Sequence, residues 1–491
     1  MGLLNRLSQL LSPPTGRSPG RHRHSVLDLP LIALSGHDEW TLRDAASGCF
    51  ILGGPGSGKS SGPAKNIIMQ LLGTGMGGFV LCAKSSEAAK WQSYCHEAGR
   101  SGDLVIFSPE YPGLRFNPLD FEMRREGRGG GYTGNITGLF KYLLEISEGG
   151  EKSGHGHDPF WERACLELVS NATDVLTLAG YALSLHDINE LIKSCPQEPE
   201  QFHSKEWHSG SFCFHCLALA SKRAEQGLAE GKRHDLEIAI EYLGKEFPAL
   251  SPKTKTSILA TFKGMALPFL KSPFREIFGT DTTLRIEDIF DRGTILVIDY
   301  PLREFSEVGR IAGALMKYFF MTAVERRIIT DDTPPCFLCV DECQEFVTSY
   351  DSRFLATARE SRCCSIFITQ NISNLYAAIN STNAKFSADA LLANFMTKIF
   401  CSNADGLTNQ WAADLIAQSW QHKAQSSTNR GENVSHGSTI SEQLAHEVLP
   451  GEFTMLTKGG PPYNIVETIF FQGGRLFNAT GKTFIRSIFE Q

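Results

Sequence analysis

The 491-residue chain has no uninterrupted apolar run approaching the roughly 20 residues that a membrane-crossing helix needs. Its longest apolar stretches are 309–324, broken by Arg310 and Lys317, and the short run 294–298. A transmembrane span is therefore not expected. The first eleven residues carry Arg6 and lead into Pro13, Pro14, Arg17, Arg21 and Arg23 with no apolar centre or cleavage site, which excludes a secretory signal peptide. An excess of positive charge is also missing: 47 basic against 54 acidic side chains give a net charge of -7, so this is no generally basic nucleic-acid coat. Any contact with nucleic acid must be local, or arise in a channel built by assembly. The 13 cysteines are odd in number and scattered through strand-like and helix-like segments, which excludes a secreted disulfide framework and predicts buried free thiols in a reducing compartment. No internal repeat is found.

What is present is material for a large core, with 42% hydrophobic and 21% charged residues, and length for about three domain-sized pieces at roughly 150 residues each. Residues 1–37 read as a flexible basic N-terminal segment rich in Ser, Pro, Gly and Arg, with order beginning near Trp40. Strand-like runs at 49–52, 79–83 and 104–107 alternate with helical patterns such as Ala64, Ile67, Ile68, Leu71 and Leu72, which predicts a parallel sheet covered by helices. After Asn117-Pro118 the periodicity turns helical, with Gly-rich breaks at 127–134 and 147–156 and no convincing strand. Strand-like runs return at 294–298, 337–340, 365–369 and 397–401. The expected division is a first nucleotide-binding part at 38–120, an all-α insertion at 121–278 and a second part at 279–491, with 424–438 a polar loop.

The strongest motif is Gly53-Gly54-Pro55-Gly56-Ser57-Gly58-Lys59-Ser60, a complete G-x-x-x-x-G-K-[ST] between a strand and a helix. Small residues let backbone N–H groups surround phosphate oxygens, and the helix N-terminus adds the positive end of its dipole. Lys59 is expected on the β- and γ-phosphates and the Ser60 hydroxyl on Mg²⁺, with Ser61 completing the set that binds ATP. Pro63 suits a first helical turn, where its missing N–H costs little.

A second acidic position is needed on a neighbouring strand. The run 295–299 ends in Asp299, but Tyr300-Pro301 supplies no base. The run 337–342 ends in Asp341-Glu342, which suits hydrolysis: Asp341 for magnesium and Glu342 to polarise the attacking water. Asp299 is left a structural role. Gln370, ending the next strand-like run, is the candidate γ-phosphate sensor, against the plainer reading of a strand-end amide bonding a loop. Arg359 and Arg362 are candidate arginine fingers, although most surface arginines only solvate a face. His203, His208, Cys213 and Cys216, with His215 between the cysteines, have the donor types of a structural zinc site but an irregular spacing; core packing is the alternative.

This order of motifs resembles the type IV coupling proteins, the hexameric RecA-like ATPases of conjugation and type IV secretion. Further markers carry the resemblance: Pro159-Phe160-Trp161-Glu162, Lys253-Thr254-Lys255-Thr256-Ser257-Ile258-Leu259, and Leu449-Pro450-Gly451-Glu452-Phe453 before Gly459-Gly460-Pro461-Pro462. It covers roughly residues 38–480. It implies an α/β fold, a RecA-like P-loop NTPase with a mostly parallel central sheet and an all-α insertion domain at a channel entrance. It also implies ATP and Mg²⁺ as cofactors and a homohexamer acting on single-stranded DNA, with a relaxase or other protein cargo and secretion-channel or anchor proteins as partners. Arg359 matches the family's trans-acting arginine better than Arg362. Two departures stand out. The family usually carries two N-terminal transmembrane helices, for which no counterpart is read here, so the expectation is a cytoplasmic protein that is either naturally soluble or held at the inner membrane through partners. Of the family's Asp-x-Lys after the second strand, Cys82-Ala83-Lys84 keeps only the lysine. A soluble adaptor ATPase recruiting protein cargo, and a translocase of DNA processing or defence, remain alternative readings.

Overall fold

The computed structural model describes residues 25–111, 113–148, 159–379, 383–430 and 434–491. Its centre is a nine-stranded sheet. In chain order the strands are β1 (Pro30–Ala33), β2 (Glu39–Thr41), β3 (Cys49–Leu52), β4 (Gly77–Cys82), β5 (Leu104–Phe107), β6 (Ile295–Asp299), β7 (Cys336–Val340), β8 (Cys363–Thr369), β9 (Thr397–Phe400), β10 (Gln418–Arg430), β11 (Val434–His446), β12 (Ile465–Gln472) and β13 (Phe484–Glu490). The large sheet runs β13-β12-β9-β3-β8-β7-β4-β6-β5, parallel from β9 through β5, with β12 antiparallel to both β9 and β13.

The central strands are apolar throughout because helices cover both faces. On β4, Phe79 and Leu81 join one core and Val80 and Cys82 the other, as the two-residue period of a strand requires. One face is covered by the helices Lys65–Gly73 and Ser85–Glu97, through Ile67, Ile68, Leu71, Leu72, Ala88 and Trp91. The other is covered by the helix Leu302–Glu325, where Phe320 stacks on Phe79 of β4 and Phe319 packs on Phe116 and Phe121, and this core runs without a break into the insertion. All 13 cysteines are buried free thiols, as expected from their placement on strands and helices.

Between β5 and β6 every described element is helical. The helix Pro159–Ala179 is the axis of this region, packed by Thr133–Glu148, Leu185–Lys193, Phe212–Glu225, Glu230–Glu241 and Pro252–Ala266. Asn117 pins its two ends together. Its side-chain oxygen accepts from the N–H groups of Leu119 (3.1 Å) and Asp120 (3.2 Å), capping the first helix, while its amide donates to the carbonyls of Leu183 (3.0 Å), within the helical region, and Thr280 (2.8 Å), on the returning chain.

Three expectations need correction. The N-terminal segment was expected to lack structure through residue 37, yet β1 pairs with β2, and Trp40, fully buried, donates to Thr397 Oγ1 at 3.0 Å; residues 1–24 lie outside the described ones. Within the polar interval expected as a loop, 424–438, residues 424–430 and 434–438 instead belong to the antiparallel ribbon β10–β11, in register from Gln418↔His446 to Arg430↔Val434; residues 431–433 lie outside the described ones. A ribbon of Gln, Ser, Thr and Asn has no apolar alternation to betray it. Finally, β12 and β13 extend the sheet beyond the strands expected from sequence. The Gly-rich break 147–156 lies largely outside the described residues.

Replacement of Asn117 by alanine removes the cap and leaves two carbonyls without their donor in a site that is 1% exposed. We expect a loss of about 2–3 kcal/mol in urea unfolding; a loss under about 0.5 kcal/mol would mean that the insertion is not fastened there.

Candidate nucleotide site

The phosphate loop leaves β3 and enters a short π-helical turn, Ser60–Ala64, that continues as the helix Lys65–Gly73. Its glycines are structurally required. A methyl group on Gly53 would lie 2.4 Å from Ser57 Oγ, and one on Gly58, whose φ is +83°, would lie 2.4 Å from Val466 Cγ2. Ser57 Oγ is buried without a hydrogen-bond partner among the described residues, an orphan that a phosphate oxygen would satisfy. The donor set fits a magnesium nucleotide: Ser60 Oγ donates to Asp341 Oδ2 at 3.3 Å, so the hydroxyl and carboxylate that would share the ion already face each other.

Strand order brings these groups together. β8 lies between β3 and β7, and the C-terminal ends of all three share one edge of the sheet. Asp341 and Glu342 follow β7, and Gln370 follows β8. Glu342 has left-handed backbone angles (φ 46°, ψ 51°), unusual for a residue with a Cβ, and is 4% exposed. Both oxygens of its carboxylate accept hydrogen bonds. Oε1 accepts from Lys84 Nζ at 2.5 Å and Gln370 Nε2 at 3.3 Å, and Oε2 from Gln344 Nε2 at 3.1 Å. Gln344 is oriented in turn by Thr369, whose hydroxyl donates to its Oε1 at 2.7 Å, and Asn403 donates to the Gln370 carbonyl at 2.9 Å.

The two adjacent acids are electrostatically distinct. Burial pushes the Asp341 carboxyl above its usual range, offset only in part by the Glu342 N–H, which donates to it, and by the charges of Lys84 and Lys59. At Glu342 burial acts in the same sense, but the bonds from Lys84 and Gln344 and the two lysine charges outweigh it and hold the carboxyl below its usual range. Glu87, which caps the helix Ser85–Glu97 by accepting from the N–H groups of Ala83 (2.8 Å) and Lys84 (3.2 Å), is pushed up to about 7 by burial and then by the charge of Asp341.

The remaining sequence candidates lie elsewhere. Asp299 ends β6, two strands from β7 with β4 between, beside Glu110 and Glu304; its carboxyl is raised to about 6 by burial and then by those charges. Arg362 is occupied, its guanidinium donating to the carbonyls of Asp331 (3.1 Å) and Thr333 (2.8 Å). Arg359 is exposed, and its guanidinium has no partner among the described residues. It lies before the start of β8, at the edge of the sheet opposite Gln370, and the seven residues of β8 separate the two by roughly 20 Å. The four zinc candidates are not assembled: His208 stacks on Phe214 and bonds the Phe202 carbonyl at 2.8 Å, and Cys213 Sγ sits 3.8 Å from Cys195 Sγ, within the insertion's core. Among the described residues no cluster of His, Cys, Asp and Glu suits a metal by itself. Gln344 and Asn403 went unnoticed in the sequence, and Lys84 was noted only as the remnant of a family motif.

Residues 335–455 match the family described as the TraM recognition site of TraD and TraG. In three dimensions the chain is similar to the bacterial conjugative coupling protein TrwBdeltaN70 in its unbound form, at a TM-score of 0.59 and 13% identity over 91% of this chain and 86% of that one. This is the fold of a conjugative coupling protein. The same coverage holds for TrwB in complex with the non-hydrolysable ATP analogue ADPNP (TM-score 0.58, 13% identity) and with ADP and Mg²⁺ (0.54, 12%). No curated protein sequence matches the chain. The coupling-protein fold thus extends over both sheet segments and the helical region between them, and among the described residues no helix is long and apolar enough to cross a membrane.

Gly58→Ala forces a methyl group into Val466 and asks an alanine to adopt φ +83°. We expect ATP-analogue affinity to fall at least ~10-fold by calorimetry. Unchanged affinity would place the phosphates elsewhere.

Proposed function

We propose that this chain is the subunit of a hexameric, ATP-hydrolysing motor of the coupling-protein type that moves DNA, single-stranded DNA in particular, through the centre of a ring. The observation that carries the reading is the gathering of Lys59, Ser60, Asp341, Glu342 and Gln370 on one sheet edge while Arg359 stands stranded at the other. In this reading the loop Gly53–Ser61 cradles the phosphates and Lys59 neutralises the β- and γ-oxygens. Ser60 and Asp341 would hold Mg²⁺, which would supply Lewis-acid polarisation of the phosphate oxygens. Glu342 takes the proton of the attacking water, and the Gln370 amide, already bonded to Glu342, reports whether a γ-phosphate is present.

In a ring motor an arginine balances part of the charge that develops on the γ-phosphate, beyond what the site's own lysines supply. Arg359, too distant to do so in its own subunit, would complete the site of the next subunit around a ring, so hydrolysis depends on assembly. The net charge of -7 does not oppose a DNA channel, since six copies of a few lysines, aromatics or backbone donors suffice to line one. A relaxase or another protein bound to the transferred DNA is the cargo that this reading expects. Attachment at the inner membrane would run through partner proteins. The adaptor reading draws on the match of residues 335–455 to a segment described as a recognition site. Protein capture independent of nucleotide and DNA would favour it.

Glu342→Gln is expected to keep ATP binding and lose turnover by a factor of about 10² or more. Arg359→Ala should lose ~10³ while still binding ATP. Mixed under exchange conditions with Lys59→Ala, itself inactive, it should regain partial activity, because a mixed interface pairs an intact loop with an intact arginine. Normal turnover by Arg359→Ala, or an inactive mixture of subunits that demonstrably assemble, would remove the trans arginine.

A further inference from the structure

Among the described residues Lys84 is the one lysine bonded to Glu342, the base in the proposed reaction, and that reaction gives it no task. It follows β4, the strand beside β7, so its backbone sits on the same sheet edge as Asp341 and Glu342. That backbone is fixed: the N–H groups of Ala83 and Lys84 both donate to the buried Glu87 carboxylate, and the Ala83 carbonyl accepts from Leu302 N at 3.0 Å. The side chain is not fixed in the same way. It is 55% exposed and ends on a carboxylate whose own side chain is 5% exposed, so a flexible cationic arm reaches from the surface down to a rigid, buried anion. Gln344 and Gln370 also donate to that anion. Both oxygens of Glu342 are therefore already hydrogen-bonded in the conformation described, Oε1 by two donors.

Resting on the reading of this site as one that hydrolyses ATP, we propose that Lys84 is a γ-phosphate-reading residue that exchanges partners, holding Glu342 when no γ-phosphate is present and passing to the γ-phosphate oxygens when a nucleoside triphosphate binds. Geometry compels the competition. A cation 2.5 Å from the carboxylate that would activate the attacking water stands one water away from the phosphorus which that water would attack. A triphosphate presents the arm with a more highly charged partner, and the departure of Lys84 frees Oε1 of Glu342 for the water. A diphosphate offers no such partner, and the base stays capped. The role differs from that of Lys59, which is carried by the phosphate loop itself and serves the β- as well as the γ-phosphate.

The test is binding of Mg²⁺ with either ADP or the imido analogue of ATP, measured by calorimetry on the full chain, with no hydrolysis in the readout. Lys84→Met should reduce analogue affinity about tenfold or more while ADP affinity changes less than about twofold, and Lys84→Arg should restore most of the difference. Glu342→Gln should strengthen analogue binding, since Lys84 then has no anion to leave, and this gain should shrink when Lys84→Met is added, the non-additivity expected of groups that share a partner. ADP affinity serves as the check on folding in every variant. If wild type binds both nucleotides and the ratio of their affinities is unmoved by Lys84→Met, or the two substitutions are additive, the exchange is refuted and the nucleotide site stands. If wild type binds neither nucleotide, the reading of the site falls and the exchange falls with it.

Discussion

Placing β8 between the strand that launches the phosphate loop and the strand that ends in Asp341-Glu342 is the constraint from which the rest of the site follows. Strands about 4.8 Å apart put β3 and β7 nearly 10 Å from one another, too far for direct contact between their ends but the right span for a phosphate group and a water. The strand between them delivers Gln370 into that gap. Because β9, β3, β8, β7 and β4 are all parallel, their C-terminal ends share one edge, and residues from five distant parts of the chain converge there without any loop having to reach far. The same geometry sends Arg359 to the opposite edge.

The segment after Glu342 is held just as firmly. Lys317, fully buried on the helix Leu302–Glu325, donates to both oxygens of the fully buried Asp351 (2.6 and 2.7 Å) and to the Phe346 carbonyl (2.6 Å). Asp351 also accepts from the N–H and hydroxyl of Thr348. Burying two charges is costly, and the pair persists because every strong donor and acceptor around it is used. It ties the sheet-facing helix to the residue that follows the turn Cys343–Glu345, which carries Gln344. The helix is also joined to the insertion, through Tyr142, whose hydroxyl donates to the Ala314 carbonyl at 3.0 Å. The insertion and the segment around Glu342 are thus connected by packed, hydrogen-bonded elements.

Much of this could be read from the sequence because it is written in local patterns. Gly53–Ser60 is contiguous, the strand before Asp341 is apolar from Cys336 to Val340, and the loss of strand-like runs after Asn117 marks the insertion. Polar pattern misled where apolar pattern was absent: β10 and β11 pair through their backbones, and their sequences show no buried face. The partners of Glu342 were hidden for a different reason. Lys84 lies 258 residues away, and Gln344, two residues on, gains meaning only from a backbone turn through positive φ. Such contacts depend on strand order, which no local window contains.

The central claim is a motor whose chemistry answers to DNA, and the most direct test is the steady-state ATPase rate of the full chain with and without single-stranded DNA, measured alongside its mass in solution. The account predicts turnover that rises severalfold with DNA, at a mass of about six subunits under the conditions where it rises. A monomer that hydrolyses ATP at the same rate with or without DNA would contradict it.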